Sequence, residues 1–277
     1  GLVKPDVAII NNIAAAHLEG FGDLCGVARA KGEIFSGLSA GGVAIFAANN
    51  PWLDKWQWRL ADKKVQHFSC EETADCYSHQ EVLDDNGCAS FKLTTPIGST
   101  YIELTVPGHH NVCNAVAAAA IALEFGASLD DIRLGLAEMA AVKGRLNLYQ
   151  LQHNLRLIDD SYNANVESIN AASDLLASYP GRRVLILGDM GELGSEARRY
   201  HQEVGEHAKS KNIDDLLTLG VLSRNTSDAF YQGKDRQDLH FGNKEALMSR
   251  LQQMLQGEDQ QVTILVKGSR SAHMEYV

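Results

Sequence analysis

The sequence contains no apolar run near the roughly 18 to 20 residues that a membrane-crossing helix needs. Its alanine-rich stretch, Ala115 to Ala122, is far too short. There is no dense run of Lys or Arg, and at a formal net charge of −10 the chain offers no electrostatic footprint for nucleic acid or an anionic membrane. There is no C-x-x-C pair. The five cysteines, Cys25, Cys70, Cys76, Cys88 and Cys113, are odd in number, which argues against a disulfide framework or a zinc site. Free thiols in a reducing cytoplasm, mostly acting as small buried hydrophobes, are the expectation. No internal repeat, low-complexity tract or signal peptide is present. Neither a G-x-x-x-x-G-K-[ST] phosphate loop nor a G-x-G-x-x-G dinucleotide fingerprint occurs. The chain opens Gly1-Leu2-Val3-Lys4-Pro5 without an initiator Met and closes at Val277 within an expected helix. Both ends read as those of a piece of a longer protein.

What is present fits a two-domain globular α/β protein. At 277 residues, with 45% hydrophobic and 22% charged residues, there is material for two cores. Val7 to Ile13 reads as a buried strand, Leu24 to Leu38 as a helix and Gly42 to Ala48 as the next strand. A hairpin is expected over Ala89 to Thr95 and Thr100 to Val106, across Pro96-Ile97-Gly98-Ser99. Helices follow over Asn111 to Phe125 and Asp130 to Met139, the first rich enough in alanine to press closely on a sheet. After Gly144-Arg145 the rhythm changes. A hairpin over Leu148 to Asp159 leads into strands at Arg183–Leu187, Leu216–Leu219, Leu239–Phe241 and Val262–Val266, with helices near 166–178, 196–210 and 243–256. Such alternation implies βαβ units and a mostly parallel, doubly wound sheet. A domain boundary is expected near residue 145.

Several segments put polar residues directly after strands, where ligands bind in open α/β sheets. In Asn11-Asn12-Ile13-Ala14-Ala15-Ala16-His17-Leu18-Glu19-Gly20-Phe21-Gly22, His17 reads either as a satisfied polar residue or as a contact to a metal or phosphate. Lys31, in Ala28-Arg29-Ala30-Lys31-Gly32-Glu33, reads as a solvated lysine or as a buried amine whose depressed pKa would allow a carbamate. In Pro107-Gly108-His109-His110-Asn111-Val112-Cys113-Asn114, Gly108 permits an unusual turn and Asn111 serves as a helix N-cap. Asn114, a mediocre helix former one turn further on, is not explained that way. Two amides at a helix start could hold a purine edge. Arg145 reads as a surface arginine or as a phosphoryl-stabilising fork. Ile158-Asp159-Asp160-Ser161-Tyr162-Asn163-Ala164-Asn165 is the densest polar cluster after an apolar strand. Function is the favoured reading there, with Asn165 also a natural N-cap. Leu187-Gly188-Asp189-Met190-Gly191-Glu192-Leu193-Gly194 and Lys267-Gly268-Ser269-Arg270 are anion-binding turns or ordinary strand-to-helix turns.

Taken in order, NNIAAAHLEGFG, ARAKGEIF, PGHHNVCNA, GRLN, DDSYNAN, LGDMGELG and VKGSRS resemble the motifs of the Mur ligases over essentially the whole chain. The DDSYNAN and KGSRS runs look most like the member that joins D-alanyl-D-alanine to a UDP-N-acetylmuramoyl-tripeptide. The resemblance implies a partial central ATPase domain over 1–145, then a Rossmann-like doubly wound carboxyl-terminal domain over 146–277, cut short at its end. It implies a cytoplasmic, monomeric peptidoglycan-building ligase that uses ATP and magnesium through an acyl phosphate. His17 and a carbamylated Lys31 would serve magnesium, with Lys31 and Arg145 catalytic. Asn111 and Asn114 would lie at the adenine, Arg145 near the phosphates and Asp160 at the ribose. Tyr162, Asn163, Lys267, Ser269 and Arg270 would face the dipeptide or the nucleotide-peptide. The family's phosphate loop is absent from these residues, as is the carboxylate that shares magnesium with the histidine, so the chain alone is expected to be inactive. Lys143 stands where proline is expected and Asp23 where serine is common. A related amino-acid-adding or folylpolyglutamate-type ligase, or a non-catalytic nucleotide-binding module, remain alternatives.

Overall fold

The computed structural model describes residues 3–233 and 239–277. In chain order the elements are β1 (Val7–Ile10), α1 (Leu18–Phe21), α2 (Leu24–Gly32), α3 (Ile34–Gly37), β2 (Val43–Ala47), α4 (Leu53–Leu60), β3 (Lys64–Ser69), β4 (Cys76–Leu83), β5 (Cys88–Thr95), β6 (Gly98–Pro107), α5 (His109–Glu124) and α6 (Leu129–Ala137). They continue with β7 (Asn147–Gln152), β8 (Leu155–Asp160), α7 (Val166–Ser178), β9 (Arg182–Gly188), α8 (Ala197–Ser210), β10 (Asp215–Leu219), α9 (Ser223–Tyr231), β11 (Leu239–Phe241), α10 (Lys244–Leu255) and β12 (Val262–Lys267). The chain divides into two compact units, Gly1–Ala14 with Phe21–Ala140, and Ala15–Gly20 with Ala141–Val277. Among the described residues no helix is long and apolar enough to cross a membrane.

The first unit is built on a six-stranded sheet in the order β1-β2-β3-β4-β5-β6. Its first four strands pair in parallel and the last two close it as antiparallel hairpins. On one face the small side chains of α5 (Ala115, Ala119, Ala120) bring its backbone close to Ile45, Phe91, Leu93 and Ile102. On the other, Phe35, Phe46 and Trp56 meet edge to face, with centroids 5.5 to 6.2 Å apart.

This unit departs from the sequence expectation in several places. The single helix expected over 24–38 is two, parted at Glu33, and the Trp56 indole lies over Gly32 at the end of the first. A Cβ there would sit 2.3 Å from the Trp56 Nε1, which donates to Ala28 O at 3.1 Å. Asp23 caps α2 through Gly26 N at 2.7 Å, doing what a serine would do. Gly108, at φ +99°, is the N-cap of α5, so the helix starts two residues before Asn111. The N-cap role read for Asn111 is therefore corrected. The expectation of five free thiols is also corrected, since Cys70 and Cys113 form a disulfide while Cys25, Cys76 and Cys88 are free. Their separation of 43 residues carries no local signal, and folding α5 onto the sheet is what brings them together.

The second unit has the strand order β11-β10-β9-β12-β8-β7, parallel throughout except for the edge hairpin β7–β8. Helices α7, α8 and α9 cover one face and α10 the other, around cores centred on Leu185, Leu187 and Leu265 and on Val184, Ile186 and Leu217. This is the doubly wound arrangement expected from the alternation. Helix α9 was not legible because its sequence, SRNTSDAFY, is poor in large apolar residues. Besides Phe230 and Tyr231 at its end it buries Ser223, Thr226 and Ser227, because α8 approaches so closely at Gly205 that a Cβ there would lie 2.3 Å from Thr226 O. The helix expected to run on at Val277 is instead two short 3₁₀ turns, Arg270–Ala272 and Met274–Tyr276. They are parted by His273 in the left-handed region at φ 49°.

Candidate functional site

In the second unit the singled-out segments follow the carboxyl ends of β8, β9 and β12, which lie side by side. Gly144 makes the first turn possible. It takes φ +72°, and a Cβ would come within 3.1 Å of Tyr162 N. Gly144 O accepts from Tyr162 N at 2.9 Å, and Asn147 Oδ1 accepts from Gly144 N at 2.7 Å. Tyr162 is thereby placed under the guanidinium of Arg145, 4.4 Å from the ring centroid, with that of Arg270 at 6.0 Å. Tyr162 is 44% exposed and both arginines are exposed. The result is an accessible aromatic flanked by two permanent cations, a pattern suited to phosphate or carboxylate oxygens. Arg270 is further held by Glu275 at 2.9 Å.

Beneath this surface lies a buried ion pair. Lys267 Nζ donates to Asp160 Oδ2 at 2.5 Å and to Asn163 O at 2.9 Å. Lys267 is 3% exposed. Burial pushes the Asp160 carboxyl above the ordinary carboxylate range, against the opposing pull of Lys267, the Leu146 N–H and Arg145. The resemblance had placed Asp160 at a ribose and Lys267 before a substrate. In the structure the two charges face each other, and together they fix the loop that carries Tyr162 and Asn163. Asn163 is exposed, whereas Asn165 caps α7 through Ser168 N at 2.8 Å.

The two glycine-rich turns pack on each other. A Cβ on Gly188 or on Gly268 would collide with Met274 at 2.7 Å and 2.5 Å. Asp189 accepts from Val221 N and Ser223 N, at 2.9 and 2.7 Å, and its carbonyl accepts from Ser269 N at 2.9 Å. Ser269 is buried, with its Oγ 3.0 Å from that of Ser271. Met190 N donates to His201 Nε2 at 3.0 Å, while His201 Nδ1 faces Ala197 O at 2.7 Å. These partners fix a neutral imidazole with its proton on Nδ1, and burial pushes its pKa down. The turns are thus chiefly scaffolding.

His17, also in this unit, takes φ 58° and pairs through Nδ1 with the Glu192 carboxylate, both side chains being more than half exposed. In the first unit Lys31 is exposed, with Nζ donating to Asn12 O at 2.9 Å. Of the two readings of Lys31 from the sequence, its position here is the solvated one. Magnesium prefers oxygen ligands. An ammonium has no lone pair for the ion, so Lys31 as it stands does not fit it, whereas His17, oriented by the Glu192 carboxylate on Nδ1, keeps Nε2 as a donor. Also in the first unit, Asn11 Nδ2 donates to Asn114 Oδ1 at 2.8 Å, Asn114 Nδ2 to Asn111 Oδ1 at 3.3 Å and Asn111 Nδ2 to Pro107 O at 2.7 Å. Three side-chain amides therefore form one chain at the start of α5. Asn11 was passed over because nothing in its own segment signals that the topology sets the end of β1 against α5.

Besides Asn11, the sequence gives no individual signal for Glu192, Asp189 and His201, which hold the neighbouring turns. Glu192 and Asp189 stand in a segment singled out for its glycines. His201 lies in a helix where only its burial distinguishes it.

The sequence matches the Mur ligase middle domain over residues 1–122 and the Mur ligase glutamate ligase domain over residues 144–270. It is 50% identical to the UDP-N-acetylmuramoyl-tripeptide–D-alanyl-D-alanine ligase of Escherichia coli over 277 residues, covering 100% of this chain and 60% of that protein. It is 42% identical to the Haemophilus influenzae ligase of the same name, covering 100% of this chain and 59% of the relative. Crystal structure I of MurF from Acinetobacter baumannii superposes with a TM-score of 0.91 at 34% identity, over 99% of this chain and 59% of that one. The chain thus spans about three fifths of the length of the relatives it matches.

Proposed function

Because the chain belongs to the Mur ligase family, with the middle and glutamate-ligase domains in succession, we propose that the protein works as an ATP-dependent amide ligase. It joins D-alanyl-D-alanine to a UDP-N-acetylmuramoyl-tripeptide during peptidoglycan precursor synthesis in the cytoplasm. The observation that carries this reading is the Arg145–Tyr162–Arg270 cluster after β8. In the reaction, a peptide carboxylate oxygen attacks the γ-phosphorus of ATP, ADP leaves, and an acyl phosphate forms. The amine of the dipeptide then adds to the acyl carbon, and the tetrahedral intermediate collapses with loss of inorganic phosphate and a proton. Both steps concentrate negative charge, which fixed guanidinium groups stabilise without reorganising.

In this reading Arg145 and Arg270 supply that charge, and exposed Tyr162 and Asn163 meet the peptide. Asn111 and Asn114 offer amide donors and acceptors to the adenine edge. Asp160 and Lys267 position the loop from beneath, and Ser269 anchors the neighbouring turn to Asp189. Magnesium enters as the counter-ion of the nucleotide phosphates, and no step is assigned to it.

The test is phosphate release by the protein made from the full reading frame that encodes these residues, with ATP, the UDP-tripeptide and D-alanyl-D-alanine. Turnover with this dipeptide is expected, and Arg145→Ala should lower kcat by about 10²- to 10³-fold. Preference for meso-diaminopimelate or a folate would overturn the substrate assignment. The 277-residue chain, which contains no phosphate loop, is expected to bind ATP weakly and release no phosphate. Near-normal ATP affinity without turnover would favour a nucleotide-binding module.

A further inference from the structure

We propose that Cys70, Cys113 and His109 form a binding site for a thiophilic divalent cation of the zinc type whenever the Cys70–Cys113 disulfide is reduced. The three ligand atoms, two sulfurs and one ring nitrogen, lie within 4.8 Å of one another, and all belong to the first unit. The arrangement follows from local structure. His109 and Cys113 are four residues apart in α5, which puts them on one face of the helix. Cys70 directly follows β3, which pairs with β4. Glu81 on β4 holds His109 Nδ1 through Oε2 at 2.7 Å. A carboxylate on one ring nitrogen orients the imidazole and leaves Nε2 as the ligand, the usual support of a metal-bound histidine. Two thiolates and a neutral imidazole make a Cys₂His donor set that leaves the fourth tetrahedral position to water. His109 is exposed and both cysteines are half-buried, so an ion has a way in.

Two of the other cysteines, Cys76 and Cys88, are poor rivals. Burial pushes the Cys76 thiol up to about 11 and that of Cys88 in the same direction, which disfavours the thiolate a metal needs. In the disulfide form the sulfurs are bonded to each other and the site is closed. Reduction by two equivalents of a small thiol delivers two electrons and two protons to the S–S bond and leaves two protein thiols and the small thiol's disulfide. Zinc then displaces two protons as both sulfurs bind as thiolates.

The experiment uses zinc chloride alone. The 277-residue chain is reduced with a phosphine, desalted without oxygen, titrated against a chromophoric zinc chelator, and its retained metal is measured after gel filtration. About one zinc per reduced chain is expected, with none held by the disulfide form. Cys113→Ser and Cys70→Ser should each abolish tight binding. Glu81→Gln should weaken it about 10- to 100-fold, and Cys88→Ser should leave it intact. Circular dichroism on each variant separates loss of the site from loss of the fold. No zinc on the reduced wild-type chain, or equal retention by Cys113→Ser, would overturn the proposal and leave a disulfide only.

Discussion

At the ends of β8 and β12 the second unit buries a lysine and a carboxylate against each other, so that the exposed Tyr162 loop rests on a charged, dehydrated support. The first unit has no counterpart at its own candidate residues. Asn11, Asn111 and Asn114 are exposed or half-buried amides linked to one another, and the tie nearest them is covalent, Cys70 to Cys113. An ion pair out of water has strength only while both partners remain. Neutral amides exchange protein for solvent partners at little cost. The second unit is therefore built to hold one loop conformation, whereas the amides of the first can exchange partners at little cost.

The sharpest way to break this contrast is Lys267→Met, which leaves Asp160 buried without its lysine. A loss of about 3 to 5 kcal/mol is expected in urea unfolding. Adding Asp160→Leu should recover most of it, and a double variant no more stable than the single would mean the pair is not the support described. Next in size is reduction of the disulfide. Opening a cross-link between residues 43 apart should cost about 2 to 4 kcal/mol, confined to the first unit and visible in amide exchange of α5. An equal loss of protection in both units would erase the distinction.

Smaller is the effect of acid on the second unit. His201 is buried as a neutral imidazole with its pKa pushed down, so the fold favours the unprotonated form. Its contribution is complete above pH 6.5, the ordinary imidazole value, and declines as pH falls toward the lower value of the folded state. Wild-type stability should drop from pH 7 to pH 5 more steeply than that of His201→Gln, and parallel curves would remove His201 from the account. The least effect on stability belongs to Asn114→Ala. It should cost about 1 kcal/mol or less, yet lower ATP affinity of the full-length protein measured by calorimetry. Unchanged affinity would take the amide chain out of the site.

Much of the architecture was legible because it is written in local pattern. The strand–helix alternation after Gly144, the hairpin across Pro96 to Ser99 and the alanine face of α5 follow from periodicities of two and 3.6 residues. The departures occur at contacts distant in sequence. Trp56 packs over Gly32 where the helix expected over 24–38 is divided, and the approach of Gly205 accommodates the buried hydroxyls of α9. The candidate residues were legible as segments, since polar clusters after apolar strands mark the ligand ends of a sheet. Their roles were not. Nothing in DDSYNAN or KGSRS says that Asp160 and Lys267 will neutralise each other, nor that Arg145 and Arg270, 125 positions apart in the chain, will share Tyr162.

By itself the sequence determined the doubly wound second sheet, the family and the segments that carry chemistry, since spacing and residue type are enough for these. Only the tertiary structure decided which of those residues stay open to a ligand and which are consumed by one another. Burial and pairing depend on partners that chain order does not reveal. Free thiols were the sequence's reading, and one disulfide beside a histidine is what the fold made of them.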